Sequence, residues 1–223
     1  MAASGQGNPF VPWISCAESE RRNAGWWNCR SWRMSEEAPM AESGLRSVAP
    51  LAGSALPIEA GDVRLTAVDL GSLCSVQPFR GCEEEANKVC QSAFGQALEV
   101  SRAGGAIWMG RGQWFLTGVS LPDAQEKLGD LCALTDQTSG WAVFDIVDPT
   151  EALVMARLCP LDVERMKPGD TARTEFAHMM SSVTALEDGY RIMVMRSFAA
   201  SAIHHTKTAM ASVVACRTLA ENQ

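Results

Sequence analysis

No run of 18 apolar residues occurs anywhere in the chain, so no segment has the length of a membrane-crossing helix. Positive charge is scarce too. Nineteen Lys and Arg stand against 26 Asp and Glu, giving a net charge of −7, and the basic residues are scattered. A nucleic-acid partner is therefore disfavoured, because phosphate binding needs a clustered basic face. The first residues lack a basic stretch followed by an apolar one, and Pro9, Pro12 and Glu18 interrupt them. No secretory signal is expected, and the expected location is cytoplasmic.

Chemistry-bearing patterns are equally sparse. The eight cysteines form no CxxC pair. In a non-secreted chain of this size, free buried thiols are expected rather than disulfides. Cys82 and Cys90 have no histidine nearby, so no zinc site is expected. There is no GxSxG elbow, Walker loop or HExxH. Of the three histidines, His204 and His205 are adjacent on a helix and point about 100° apart, which suits solvated surface better than joint metal binding. His178 falls between Phe176 and Met180 in an apolar run, which reads as a core or interface histidine in a strand. Asp145 and Asp148 do not share a strand face, which weakens them as a general acid–base pair. Arg173 and Arg196 are open to two readings, anion contacts or salt bridges.

What is present is a globular composition, 47% apolar over 223 residues, enough for one good core or two small ones. Residues 1–60 are rich in Ser, Ala, Gly and Pro and follow no period, which predicts a disordered arm. Two readings compete for residues 1–33. Either the tryptophans of GWWNCRSWRM dock on a partner, or translation of the natural product starts at Met34 or Met40. Residues 61–223 are expected to form the folded domain, divisible into subdomains of about 61–135 and 136–223.

Within that domain, Val63, Leu65, Ala67 and Leu70 predict a first strand, and the apolar spacing of Gly81 to Ala93 predicts a helix. Ala106–Met109 and Gln113–Thr117 read as a hairpin around Gly110-Arg111-Gly112. Pro122 to Leu131 is a short helix after Ser120, followed by a strand at Cys132–Thr135. Asp136 to Trp141 is turn chemistry, and Ala142 to Ile146 a strand. Asp148, Pro149 and Glu151 then predict a capped helix running to the Cys159-Pro160 stop. Thr171 to Met180 reads as one strand, and Tyr190 to Arg196 as a strand covered on both faces. A last helix carries Ala199, Ile203, Thr206, Met210, Val213 and Val214 in one stripe. The expected fold class is α+β, with mixed or antiparallel sheets and packed helices.

Five segments then carry a resemblance: WMGRGQWFL, TDQTSGWAVFDI, ARLCPLD, PGDTARTEFAHM and VMRSFAAS. In this order, over about residues 61–215, they resemble the gamma subunit of heterotetrameric sarcosine oxidase. The resemblance implies a fold similar to the folate-binding domain of the glycine-cleavage aminomethyltransferase. It implies a complex that oxidises sarcosine to glycine, with hydrogen peroxide and either formaldehyde or 5,10-methylenetetrahydrofolate as products. FAD, FMN, NAD, zinc and tetrahydrofolate would sit on the partner alpha, beta and delta subunits. This chain would then be non-catalytic, with no cofactor, metal or catalytic residue of its own. Trp108, Trp114, Trp141, Arg173 and His178 become candidate interface residues on that reading. The alternative is a folate-binding or aminomethyltransferase-like protein acting alone, with Asp136, Trp141 and Arg173 cast in the site by residue type. A free-standing regulatory or assembly protein is a third possibility.

Overall fold

The polypeptide runs back and forth through two antiparallel sheets, described here from a computed structural model covering residues 48–99, 105–149 and 152–222. The first sheet holds β1 (Ile58–Ala60), β2 (Val63–Ala67), β7 (Trp141–Val147), β8 (Thr171–Phe176), β9 (Met179–Ala185) and β10 (Gly189–Met195), in the order β1-β2-β7-β10-β9-β8. The second holds β3 (Leu73–Pro78), β4 (Ile107–Gly110), β5 (Gln113–Thr117) and β6 (Cys132–Asp136), in the order β4-β5-β3-β6. Among the described residues every strand pairing is antiparallel, so neither sheet is mixed there. The α+β expectation holds.

Alternation along the strands sorts side chains into three layers. Ala142, Phe144 and Ile146 of β7, with Ile192 and Val194 of β10, face the long helix α4 (Ala199–Glu221), which contributes Ala202, Ile203, Ala209, Met210 and Val213. The sequence stripe of this helix is its buried face. The buried Thr206 hydroxyl donates to the Ala202 carbonyl at 2.8 Å, which satisfies it within the helix. Val76, Leu116 and Cys132 of the second sheet pack on α1 (Glu83–Phe94) and α2 (Leu121–Leu128) through Ala86, Cys90, Ala124 and Leu128. The Ser120 side chain caps α2 by accepting from Asp123 N. Between the sheets lies a smaller layer of Leu73, Met109, Phe115, Val143 and Met193.

Several expectations are corrected. The 48–60 part of the presumed arm belongs to the fold: Leu51 is buried, and β1 pairs with β2 through Ile58↔Leu65. Both readings of residues 1–33 lie outside the described residues. The subdomain split at residue 135 fails on one side, since β1 and β2 sit in the sheet built by the C-terminal half. The first strand ends at Ala67, and Leu70 packs in the layer between the sheets.

The helix expected from Pro149 to Cys159 is a single turn, α3 (Leu153–Ala156). Ala152 adopts a left-handed conformation at φ 57, which breaks helical continuity ahead of it. The Asp148 carboxylate still caps, but from farther back, accepting Val154 N at 2.9 Å. Glu151 lies outside the described residues. The strand expected over Thr171–Met180 is a hairpin: Phe176 pairs with Met179, and Ala177 and His178 turn between them at φ 47 and 65. That is the geometry of a two-residue turn with both central φ positive, without the usual Asn-Gly signal. A bond from Ala177 N to Leu158 O at 2.7 Å holds the turn.

The described cysteines are free, as expected, and burial pushes the Cys90 thiol up to about 12 and Cys132 to about 11. Because the thiolate is the nucleophile, iodoacetamide at pH 8 is expected to label the exposed Cys216 readily, and Cys90 and Cys132 only on unfolding. Rapid labelling of the latter two in the native protein would contradict their burial. At Gly189, a Cβ would meet Ile146 O at 2.0 Å. Gly189→Ala should therefore cost about 2–3 kcal/mol, or roughly 5–10 °C in Tm. Gly110→Ala, where the space is open, should leave Tm nearly unchanged in the same melting series.

Candidate functional site

The segments singled out in the sequence meet at one corner of the molecule. Trp141 opens β7, Arg173 lies on β8, Met195 closes β10, and Phe115 comes from the facing sheet. Trp141 makes an edge-to-face contact with Phe115, with ring centroids 5.4 Å apart. The Arg173 guanidinium lies 5.7 Å from the Trp141 ring centroid, reaching across β9 and β10 to do so. The indole N–H of Trp141 donates to Gln137 Oε1 at 3.4 Å.

Arg173 is unusual. It is half-buried, its Nη1 is fully enclosed, and no hydrogen-bond acceptor or carboxylate partner reaches it among the described residues. Desolvation lowers its pKa for the same reason. Ser182, directly opposite on β9, is buried with an equally unpartnered hydroxyl. Each such group costs on the order of 1–3 kcal/mol, so the salt-bridge reading of Arg173 is wrong. Arg196 is exposed and donates to the Val48 carbonyl rather than to an acid.

The other candidates lie elsewhere. Trp114 and Trp108 are cross-strand neighbours on the β4–β5 hairpin. Trp114 and Phe115 point to opposite faces of β5, so Trp114 packs against the α1–α2 layer, with its indole N–H 3.2 Å from Glu99 O. His178 is exposed at the tip of the β8–β9 hairpin, not in a strand or the core. His204 and His205 are exposed on α4, and no cluster of metal-ligating residues occurs among the described residues.

The carboxylates have structural work. Asp145 holds Arg191 by two hydrogen bonds, at 2.8 and 2.9 Å. Asp136 ends β6 and accepts Thr138 N at 2.9 Å, and the Thr138 hydroxyl in turn accepts Leu73 N at 3.0 Å. A cleft of about 460 Å³ runs beside Trp141, lined also by Leu73, Val143, Thr138, Ser139 and Arg196. Its size suits a small ligand, but Thr138 and Arg196 already serve the chain's own backbone. Of the residues cast as a folate site, Trp141 and Arg173 do meet, yet the guanidinium already covers one face of the ring. Asp136 is engaged in its turn.

The juxtaposition of Arg173 with Trp141 could not be read from the sequence, since β10 and β9 lie between their strands and the contact exists only once the sheet has formed. The hydrogen bonds from Thr138 hold the Asp136 carboxyl below the usual carboxylate range. A group with a lowered folded pKa contributes stability above its unfolded value, near 4, and loses it as pH falls through the folded value. Thermal melts of Asp136→Ala should therefore show a deficit at pH 7 that closes in the acid range. A deficit unchanged with pH would contradict this role.

No protein-family model matches the sequence, and no curated protein matches it. Among solved structures, the chain is similar to one in "Heterotetrameric Sarcosine Oxidase from Corynebacterium sp. U-96 in complex with pyrrole 2-carboxylate". The match has a TM-score of 0.64 at 20% identity and covers 74% of this chain and 95% of that one. At that identity the likeness establishes a common fold: two antiparallel sheets with packed helices.

Proposed function

We propose that this chain is a non-catalytic subunit of a heteromeric sarcosine-oxidising complex, in the position of the gamma subunit. The observation that carries the reading is the match over 95% of a chain from such a complex. A likeness to nearly a whole chain favours an equivalent subunit over a domain borrowed from a larger enzyme. The order of the five sequence segments supports the same reading. So does the disposition of reactive groups: Asp145 is paired, Asp148 caps a turn, Asp136 closes a loop, and the histidines are exposed, His178 at a hairpin tip and His204 beside His205 on α4.

On this reading the alpha, beta and delta subunits hold FAD, FMN, NAD, tetrahydrofolate and zinc, and carry out the conversion of sarcosine to glycine. Hydrogen peroxide, with formaldehyde or 5,10-methylenetetrahydrofolate, leaves from them. The present chain contributes a rigid two-sheet body against which its partners are positioned, in a cytoplasmic assembly.

Purification of the tagged full chain from its native cell, with mass spectrometry of what accompanies it, tests the proposal. The expected result is a flavin-coloured assembly with larger proteins that releases peroxide on adding sarcosine, while the isolated chain is colourless and inert. Oxidation of sarcosine by the isolated chain, or its recovery alone, would overturn the reading. Saturable binding of a reduced folate by the isolated chain would favour the solitary folate-binding alternative instead.

A further inference from the structure

We infer that the end of the six-stranded sheet around Arg173 is a docking surface for a partner protein presenting an aspartate or glutamate side chain with apolar residues beside it. The inference rests on the reading of this chain as a subunit, and adds which surface meets a partner and what chemistry meets it.

Strand alternation places Arg173 and Ser182, directly paired across β8 and β9, on the same sheet face as Met193 and Val143. Two residues along, Glu175 pairs with Met180 and Trp141 with Met195, again on that face. Met180 and Met195 are 51% and 50% exposed, an uncommon investment of apolar surface around a cation. The cation itself is incomplete. Arginine is seldom taken out of water without a partner, yet among the described residues the partly exposed Arg173 rests on the Trp141 ring, and neither its enclosed Nη1 nor the buried serine hydroxyl opposite has a hydrogen-bond partner. Glu175 sits nearby but forms no ion pair with it among the described residues.

The indole face holds the guanidinium plane in place, so little freedom is left to lose when an anion arrives. A planar fork of donors matches a carboxylate bidentately. The two clefts beside Trp141 and Arg191 do not include Arg173 in their described walls, whereas the exposed Met180 and Met195 flank it on the sheet face. Flanking methionines adapt to an apolar contact and exclude water from the ion pair. Since the chain as a whole carries a charge of −7, attraction of an acidic group depends on this local contact.

The test uses the full chain purified with its partners from the native cell. Arg173→Gln is expected to reduce partner recovery about tenfold or more, with the melting temperature of the isolated chain unchanged or raised. Equal recovery by wild type and R173Q would overturn the inference and leave the subunit reading standing. A wild-type chain that brings down no partner would overturn both. Arg173→Lys keeps the charge and supplies an amine, so carbodiimide treatment of that assembly is expected to link residue 173 to an aspartate or glutamate of a partner. This second measurement decides the matter even if R173Q folds poorly. A link only to Glu175, or none, would overturn the inference.

Discussion

The pairing of β7 with β10 is the constraint on which the rest of the fold depends. Seven residues of each strand are in register, from Gly189↔Val147 to Met195↔Trp141. Both strands are buried on both faces, so each sends alternate residues into a different core. Phe144 and Ile192 face α4, while Val143 and Met193 face the second sheet. A one-residue slip would exchange these two sets and place Asp145 and Arg191 under α4. Asp145 and Arg191 are themselves cross-strand partners in this register, tied by two hydrogen bonds. Gly189 allows β10 to begin against the backbone of Ile146, where no side chain fits.

From that register the corner around Trp141 follows. Trp141 begins β7 and sits at one end of the pairing, so its ring lies at the edge of the layer between the sheets, against Phe115 within that layer and Arg173 beside it. The layer between the sheets is small beside the two helix-covered cores, and it carries the polar residues left without partners. Among the described residues, the arginine nitrogen enclosed at its edge and the serine hydroxyl opposite have no hydrogen-bond partner. The helix-covered sides show no such defect among the described residues.

Much of the fold was legible in the sequence, for local reasons. The two-faced strand at Tyr190–Arg196, the buried stripe of the last helix and the Arg111-Gly112 turn each follow from periodicity or from glycine's freedom at positive φ. Ala177-His178 was missed because neither residue signals a turn. The left-handed pair is tolerated where Ala177 is held from outside by Leu158 O. The helix after Asp148 was over-extended because apolar spacing at Met155, Leu158 and Cys159 reflects burial in the main core, not helical periodicity. Of the candidate residues, Trp141 and Arg173 were identified one by one, but their contact crosses two intervening strands and has no local signature. Trp108, Trp114 and His178 were grouped with them by residue type, and the alternation of β5 and the β8–β9 turn separate them.

Cooperativity joins these points. If β7 and β10 are shared by two cores, the sheets cannot open independently, although they come from different parts of the chain. Native-state hydrogen exchange along both sheets measures this most directly. The account predicts that amides of β7 and β10 exchange slowest, and that interior amides of β3 and β5 exchange with the same free energy of opening. Early, separate exchange of the β3–β6 sheet while β7 and β10 stay protected would contradict it.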